Sequence, residues 1–192
     1  MRILRYQDYR RMRWKNGGGE TTEIVVSPDG AGLDAFDWRV SMAHVASDGP
    51  FSLFPNIDRT LAVLDGHGIR LRVAGLGEFD LTTASVPLAF PADAPAGADL
   101  IDGPIHDLNV MSRRGVVRHA LTRAAISEPY RINLGADATL LLIRGSEARF
   151  QSAAHIEAVA GGDSVILDKA DGEATLTPSS ALTLYICEFR RV

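Results

Sequence analysis

The chain has 192 residues, 46% hydrophobic and 23% charged, with 20 basic and 24 acidic side chains and a formal net charge of −4. That length suits one domain, or two small halves fused into one body, and the balance of apolar and charged residues excludes wholesale disorder. The acidic surplus argues against a nucleic-acid partner, and no apolar run approaches the ~18–20 residues that cross a bilayer. The N-terminus, Met1-Arg2-Ile3-Leu4-Arg5, turns polar at once and resembles no secretory segment, so the expected location is cytoplasmic with no membrane partner. Cys187 stands alone and forms no internal disulfide. Of the 20 basic residues only Lys15 and Lys169 are lysines. That bias reflects either a GC-rich coding sequence or Arg forks set out to grip carboxylates.

Taken in chain order, the first element is a helical turn expected over residues 8–12, with Asp8 as N-cap and Gly17-Gly18-Gly19 ending it. Beyond it, short β-branched or aromatic runs alternate with turn residues. Ile24-Val25-Val26 precedes Ser27-Pro28-Asp29-Gly30, and Leu61-Ala62-Val63-Leu64 precedes Asp65-Gly66. Ile69-Arg70-Leu71-Arg72-Val73, Phe79-Asp80-Leu81 and Val86-Pro87-Leu88-Ala89-Phe90 follow. Many short strands at near-regular spacing indicate an all-β barrel or sandwich. Residues 91–99, from their Pro, Gly and Asp content, read as an irregular surface loop.

A weak repeat runs through the chain. Thr60-Leu61-Ala62-Val63-Leu64-Asp65-Gly66 resembles Thr139-Leu140-Leu141-Leu142-Ile143-Arg144-Gly145, and each is followed by a second strand. About forty residues later come residues 107–112 and 182–187, again alternating. Either two stacked halves or chance likeness among β-rich segments explains this.

Motif chemistry is sparse. The five histidines sit in separate segments with no His-x-His or Cys-x-x-Cys pair, so no metal and no cofactor is expected. There is no Gly-x-Ser-x-Gly elbow, and Cys187 lies mid-strand in an apolar run as a small hydrophobe, so no nucleophile is assigned. The tri-glycine run lacks the ending of a phosphate loop and suits either chain reversal or close backbone approach. Strand alternation puts Arg39, Ser41 and Ala43 on one face, and Asp107, Asn109 and Met111 on one face. Those polar rows either meet solvent or line a barrel lumen. Residues 49–59 pack Phe51, Phe54, Pro50 and Pro55 into a stiff connection ending in Asp58-Arg59.

Four ordered motifs carry a family resemblance. They are Trp14-Lys15-Asn16-Gly17-Gly18-Gly19-x-Thr21-x-Glu23-Ile24, Phe36-Asp37-Trp38-Arg39-x-Ser41-x-Ala43, Gly49-Pro50-Phe51-Ser52-x-Phe54-Pro55-x-x-Asp58-Arg59 and Asp107-Leu108-Asn109-Val110-Met111. Together they resemble the HutD/Ves family, with a departure at Asn56, where the family pattern has Gly and where Asn is the next-best residue for a positive φ. The resemblance implies an all-β, cupin-like chain (an RmlC-like jelly roll) with two β-barrel or sandwich halves. The halves expected are residues 14–115 and 116–192, with 1–13 packing across.

The resemblance also implies a link to histidine utilisation, with a regulatory or sensing role and no established enzymatic activity. On that basis Trp14, Asn16, Arg39, Ser41, Phe51, Asp58, Arg59 and Asn109 are the expected ligand-binding residues. The expected partner is a small anionic metabolite, such as urocanate or a formyl- or formimino-glutamate, gripped by an Arg fork against an aromatic wall. The alternative is a metal-independent hydrolase or isomerase on a related metabolite, with Asp58, Glu23, Asp107 and His44 as candidate acids and bases. A homodimer is compatible with either, although no interface is legible.

Overall fold

The computed structural model describes residues 1–14 and 17–192; Asn16, one of the expected site residues, lies outside the described residues together with Lys15. Among the described residues regular structure is all β apart from two single 3-10 turns, Tyr6–Asp8 and Lys169–Asp171. The first strands are β1 (Arg2–Leu4), β2 (Arg10–Arg13), β3 (Gly19–Ser27), β4 (Trp38–Val45), β5 (Gly49–Pro50) and β6 (Ile57–Asp65). Next come β7 (Ile69–Val73), β8 (Gly77–Leu81), β9 (Leu88–Pro91), β10 (Ala96–Leu100), β11 (Ile105–Arg113) and β12 (Val117–Ile126). The last are β13 (Tyr130–Ile132), β14 (Ala138–Gly145), β15 (Ala148–Ser152), β16 (Ile156–Val159), β17 (Ser164–Leu167), β18 (Ala174–Pro178) and β19 (Leu182–Arg191). No helix among the described residues is long and apolar enough to cross a membrane.

The strands divide into two compact units, Arg10–Arg118 and Met1–Tyr9 with His119–Val192. In the first, a six-stranded sheet in the order β2-β3-β4-β11-β6-β9 accompanies a four-stranded sheet in the order β5-β10-β7-β8. In the second, a five-stranded sheet, β1-β17-β14-β19-β12, accompanies a four-stranded one, β13-β18-β15-β16. Adding eight to each strand number turns β4-β11-β6-β9 into β12-β19-β14-β17, and β5-β10-β7-β8 into β13-β18-β15-β16. The eight-stranded arrangement is therefore used twice, with β2 and β3 extending one copy and β1 the other. The likeness between residues 60–66 and 139–145 marks the matching strands β6 and β14.

Each unit has an apolar cluster of its own. In the first, Leu61, Val63 and Phe90 of the six-stranded sheet pack on Ile69, Leu71, Val73, Leu81 and Ala98 of the four-stranded sheet. In the second, Leu141, Ile143, Phe150, Val165, Leu176 and Leu184 form part of an apolar cluster.

Two local expectations are corrected. Residues 8–12 are not a helical turn: Asp8 ends the 3-10 turn, and β2 pairs with β3 through Arg10↔Glu23 and Met12↔Thr21. One isolated helical turn fixes several dihedrals for a single hydrogen bond, whereas an edge strand gains a ladder. Residues 91–99 are not wholly irregular either, since β10 occupies Ala96–Leu100 and pairs with β7 and β5. The small side chains that suggested a loop let strands approach closely there, with Gly97 facing Pro50 in the ladder and Ala98 buried in the core.

Candidate functional site

The site is built by register. β11 lies between β4 and β6, and its alternate residues Asp107, Asn109 and Met111 pair with Ala43, Ser41 and Arg39 on one side. On the other side they pair with Val63, Leu61 and Arg59. β3 adds Thr21 opposite Ala43 and Glu23 opposite Ser41. Directly paired residues project from the same face of a sheet, and Leu61 and Val63 sit in the interior core, so this whole face looks inward. Arg39, Ser41, Arg59, Asp107 and Asn109 are accordingly buried. The opposite face of the same strands, carrying Val40, Met42, Leu108 and Val110, is buried too. Hydrophobicity alone therefore does not tell the two faces apart.

The two buried arginines have different surroundings. Arg39 is committed: its Nε donates to Glu23 Oε2 at 2.7 Å, and its Nη1 donates to Ser41 Oγ at 3.3 Å. Arg59 is less occupied. Its Nη2 donates to the Ser52 carbonyl at 3.3 Å, and its Nε has no hydrogen-bond partner. The guanidinium carbon lies 5.3, 5.4 and 5.7 Å from the ring centroids of Phe51, Phe54 and Phe90. Each such contact is worth up to ~2 kcal/mol when water is excluded, but rings accept no conventional N–H bond. A buried charged donor left unpaired costs at least ~1–3 kcal/mol.

Electrostatics couple Arg59 to Asp107. Burial pushes Asp107 up to about 7, opposed by Arg59 and by hydrogen bonds from the Ala43 N–H and Asn109. Asn109 Nδ2 donates to Asp107 Oδ1 at 2.7 Å. Burial lowers Arg59 to about 10, where the nearby Asp107 opposes the shift and Arg39 adds to it. Arg59 thus stays cationic at neutral pH.

The expected site residues do not all converge. Arg39, Ser41, Arg59 and Asn109 share the inward face, and Phe51 stacks on Arg59. Trp14 is half-buried, and its Nε1 donates to Thr21 Oγ1 at 2.8 Å, at the end of the same face. Asp58 is not brought to the cluster. Being one residue before Arg59 on β6, it projects to the other side, where Arg114 Nη2 approaches its Oδ1 at 2.8 Å. Glu23 and Asp107 do join the interior, whereas His44 lies on the opposite face, its ring centroid 4.9 Å from that of His106. Phe54 and Phe90 complete the surround of Arg59. Only the pairing of Arg59 with Phe90 across β6 and β9 reveals the latter.

Among the described residues no group of three or more His, Cys, Asp or Glu side chains is placed to hold a metal ion. Cys187 is fully buried in β19, and burial pushes its thiol up, which suits an inert hydrophobe. A separate open groove of about 510 Å³ runs along β7, β8 and β10, lined by Arg72, Gly77, Glu78 and Pro95 among others. It does not include the buried cluster.

Comparison with known proteins accords with this architecture. A 111-residue segment is 41% identical to the "Uncharacterized 21.2 kDa protein in hutC 3'region" of Pseudomonas putida, covering 58% of this chain and 57% of that protein. A 116-residue segment is 40% identical to Protein Ves of Citrobacter koseri, covering 58% of this chain and 59% of that protein. The matched segments thus span under three-fifths of these curated relatives.

Over nearly the full length, the fold superposes on a conserved protein of unknown function from Pseudomonas aeruginosa PAO1, with a TM-score of 0.90, 32% identity and 98% of each chain covered. It also superposes on HutD from Pseudomonas fluorescens SBW25, with a TM-score of 0.82, 30% identity, and 100% and 98% of the two chains covered. A cupin barrel protein from Leptotrichia buccalis, 9% identical with a TM-score of 0.60 over 93% of this chain and 95% of that one, shares the fold alone. The fold is cupin-like, and with the HutD family model matching residues 6–185, the chain belongs to the HutD family.

Proposed function

We propose that this protein binds a small carboxylate metabolite inside the Arg10–Arg118 unit, without a metal and without turning it over. The observation that carries this reading is the buried Arg59 guanidinium, whose Nε lacks any hydrogen-bond partner while three aromatic rings hold it in place. A carboxylate oxygen would satisfy that donor with a charge-assisted bond, which is the stronger class of hydrogen bond. Ser41 and Asn109 supply a hydroxyl and an amide on the same face to select the rest of the ligand. The location of one relative beside hutC and the HutD identity of another point to the histidine-utilisation pathway. Urocanate, N-formylglutamate and formiminoglutamate are therefore the ligands to test, and a sensing or regulatory role follows from binding without turnover.

Titration calorimetry with these three compounds tests the proposal. The Arg59→Met variant keeps the packing volume and removes the charge. Loss of a bond to a charged group, about 1.5–3 kcal/mol, corresponds to affinity weaker by roughly 10- to 150-fold. Undiminished affinity in Arg59→Met, or no heat with any of the three, contradicts the proposal.

One observation favours a second reading. A carboxyl pushed up to about 7 in an interior, as Asp107 is, has the proton affinity suited to general acid–base work. On this reading the protein is a metal-independent hydrolase or isomerase. Turnover by chelator-treated protein that Asp107→Asn abolishes would favour it over simple binding.

A further inference from the structure

Among the described residues the water-shielded charges inside the Arg10–Arg118 unit balance when all are ionised. Among the described residues the water-shielded part of the inward face of the six-stranded sheet carries two cations, Arg39 and Arg59, and two carboxylates, Glu23 and Asp107, while Arg10, in register with Glu23 on the edge strand β2, is exposed to solvent. The facing sheet contributes only apolar groups to the core, namely Ile69, Leu71, Val73, Leu81 and Ala98. Arg70, Arg72, Glu78, Asp80 and Asp99 of that sheet are exposed on its outer side. His44 and His106 stand on the opposite face of the six-stranded sheet, one residue out of phase with Ala43 and Asp107.

A carboxylate docking on Arg59 would leave this buried interior with a net negative charge. An uncompensated charge in a desolvated site costs several kcal/mol, and a group that can change protonation does so instead. Glu23 is the less suited of the two carboxylates, because Arg39 Nε holds it at 2.7 Å. Asp107 is 1% exposed, and its contacts are to neutral donors, the Asn109 amide at 2.7 Å and the Ala43 N–H. Its field acts on Arg59, so in the ionised state it competes electrostatically with an incoming anion for the same guanidinium. In the neutral state it no longer repels the anion and gains an O–H donor.

We propose that Asp107 is the charge-compensating residue of this site: a carboxylate binds at Arg59 together with one proton from solvent, which the Asp107 carboxylate takes up. The proposal deepens the carboxylate-binding reading above and rests on it. It links occupancy to pH. Because burial already holds Asp107 near neutrality, protonation on binding is inexpensive at pH 7 and becomes harder with each unit above.

The test is calorimetry of the full chain with N-formyl-L-glutamate, whose carboxyl groups do not titrate above about pH 5. Titrations at about pH 8 in phosphate and in Tris, which differ in ionisation enthalpy, count the protons exchanged. The expected count is close to one proton taken up per site, with affinity falling on the order of tenfold per pH unit above about pH 7. In Asp107→Asn the uptake disappears and the affinity becomes level across this range. Should that variant fail to fold, the two-buffer count on the unaltered protein still decides. Binding with no proton uptake and no pH dependence overturns the role of Asp107 while leaving carboxylate binding intact. No binding at all overturns both.

Discussion

Arginine is the residue whose surroundings separate structure from function in this chain. Arg70 and Arg72 meet Asp80 and Asp99 on an exposed sheet face, Arg114 bridges Asp58 and Asp93, and Arg131 reaches Glu173. Such exposed pairs are screened by water and contribute little. Arg39 and Arg59 are the buried pair, and Arg59 has a fully buried nitrogen, Nε, without a hydrogen-bond partner. Asp107 adds a pH-dependent term at the same scale. Its carboxyl is pushed up to about 7 from an ordinary value near 4, so between those limits the native state holds a proton that the unfolded chain has released. Stability from this group is therefore full below about pH 4 and is lost progressively as pH rises to about 7. Chemical denaturation from pH 4 to 8 should show that decline in the unaltered protein and a flatter profile in Asp107→Asn. A parallel decline in both would mean that another group is responsible.

At the scale of elements, strand pairing supplies what the sequence does not state. The alternation of residues 39–43 and 107–111 put Arg39 with Ser41 and Asp107 with Asn109, but it neither joined the two rows nor gave the side they face, since both faces of β4 and β11 are buried. Asp58 was separable from Arg59 by the same alternation once residues 57–65 were taken as one strand. Phe90 was not legible, because its contact with Arg59 spans 31 positions and depends on the β6–β9 register. Asn56 was legible: its φ is +60°, the conformation where Asn is the usual alternative to Gly.

The tri-glycine run also receives a physical reason. A Cβ on Gly19 would collide with the His44 backbone carbonyl and come within 3.0 Å of the Trp14 ring. Gly19→Ala should therefore loosen the β3–β4 end and lower the thermal midpoint by an amount equivalent to about 1–3 kcal/mol. An unchanged midpoint would show that the strands absorb the methyl group.

The whole molecule uses one eight-stranded topology twice and fills the two copies differently. The repeat was visible in residues 60–66 and 139–145, where apolar strands run into similar turns, and in the later pair 107–112 and 182–187, which are the matching strands β11 and β19. Among the described residues the Arg10–Arg118 unit carries a row of charged groups on its inward face, the buried Arg39, Asp107 and Arg59 and the half-buried Glu23. In the second unit the buried polar residues among those described are Thr139, Asp163 and Ser164, apart from the apolar cluster around Leu141. Leu141→Ala in that cluster should cost about 2–5 kcal/mol of stability, yet leave carboxylate affinity unchanged at temperatures where the protein remains folded. Weakened affinity in the folded variant would place part of the binding function in the second unit.

The central claim is that Arg59 Nε awaits a carboxylate oxygen. Proton–nitrogen NMR of the arginine Nε–H groups, followed during titration with N-formyl-L-glutamate, tests it directly. A saturable downfield shift of the Arg59 Nε–H signal is expected, the signal itself being absent from Arg59→Met. An Arg59 signal that stays fixed while the ligand binds would contradict it.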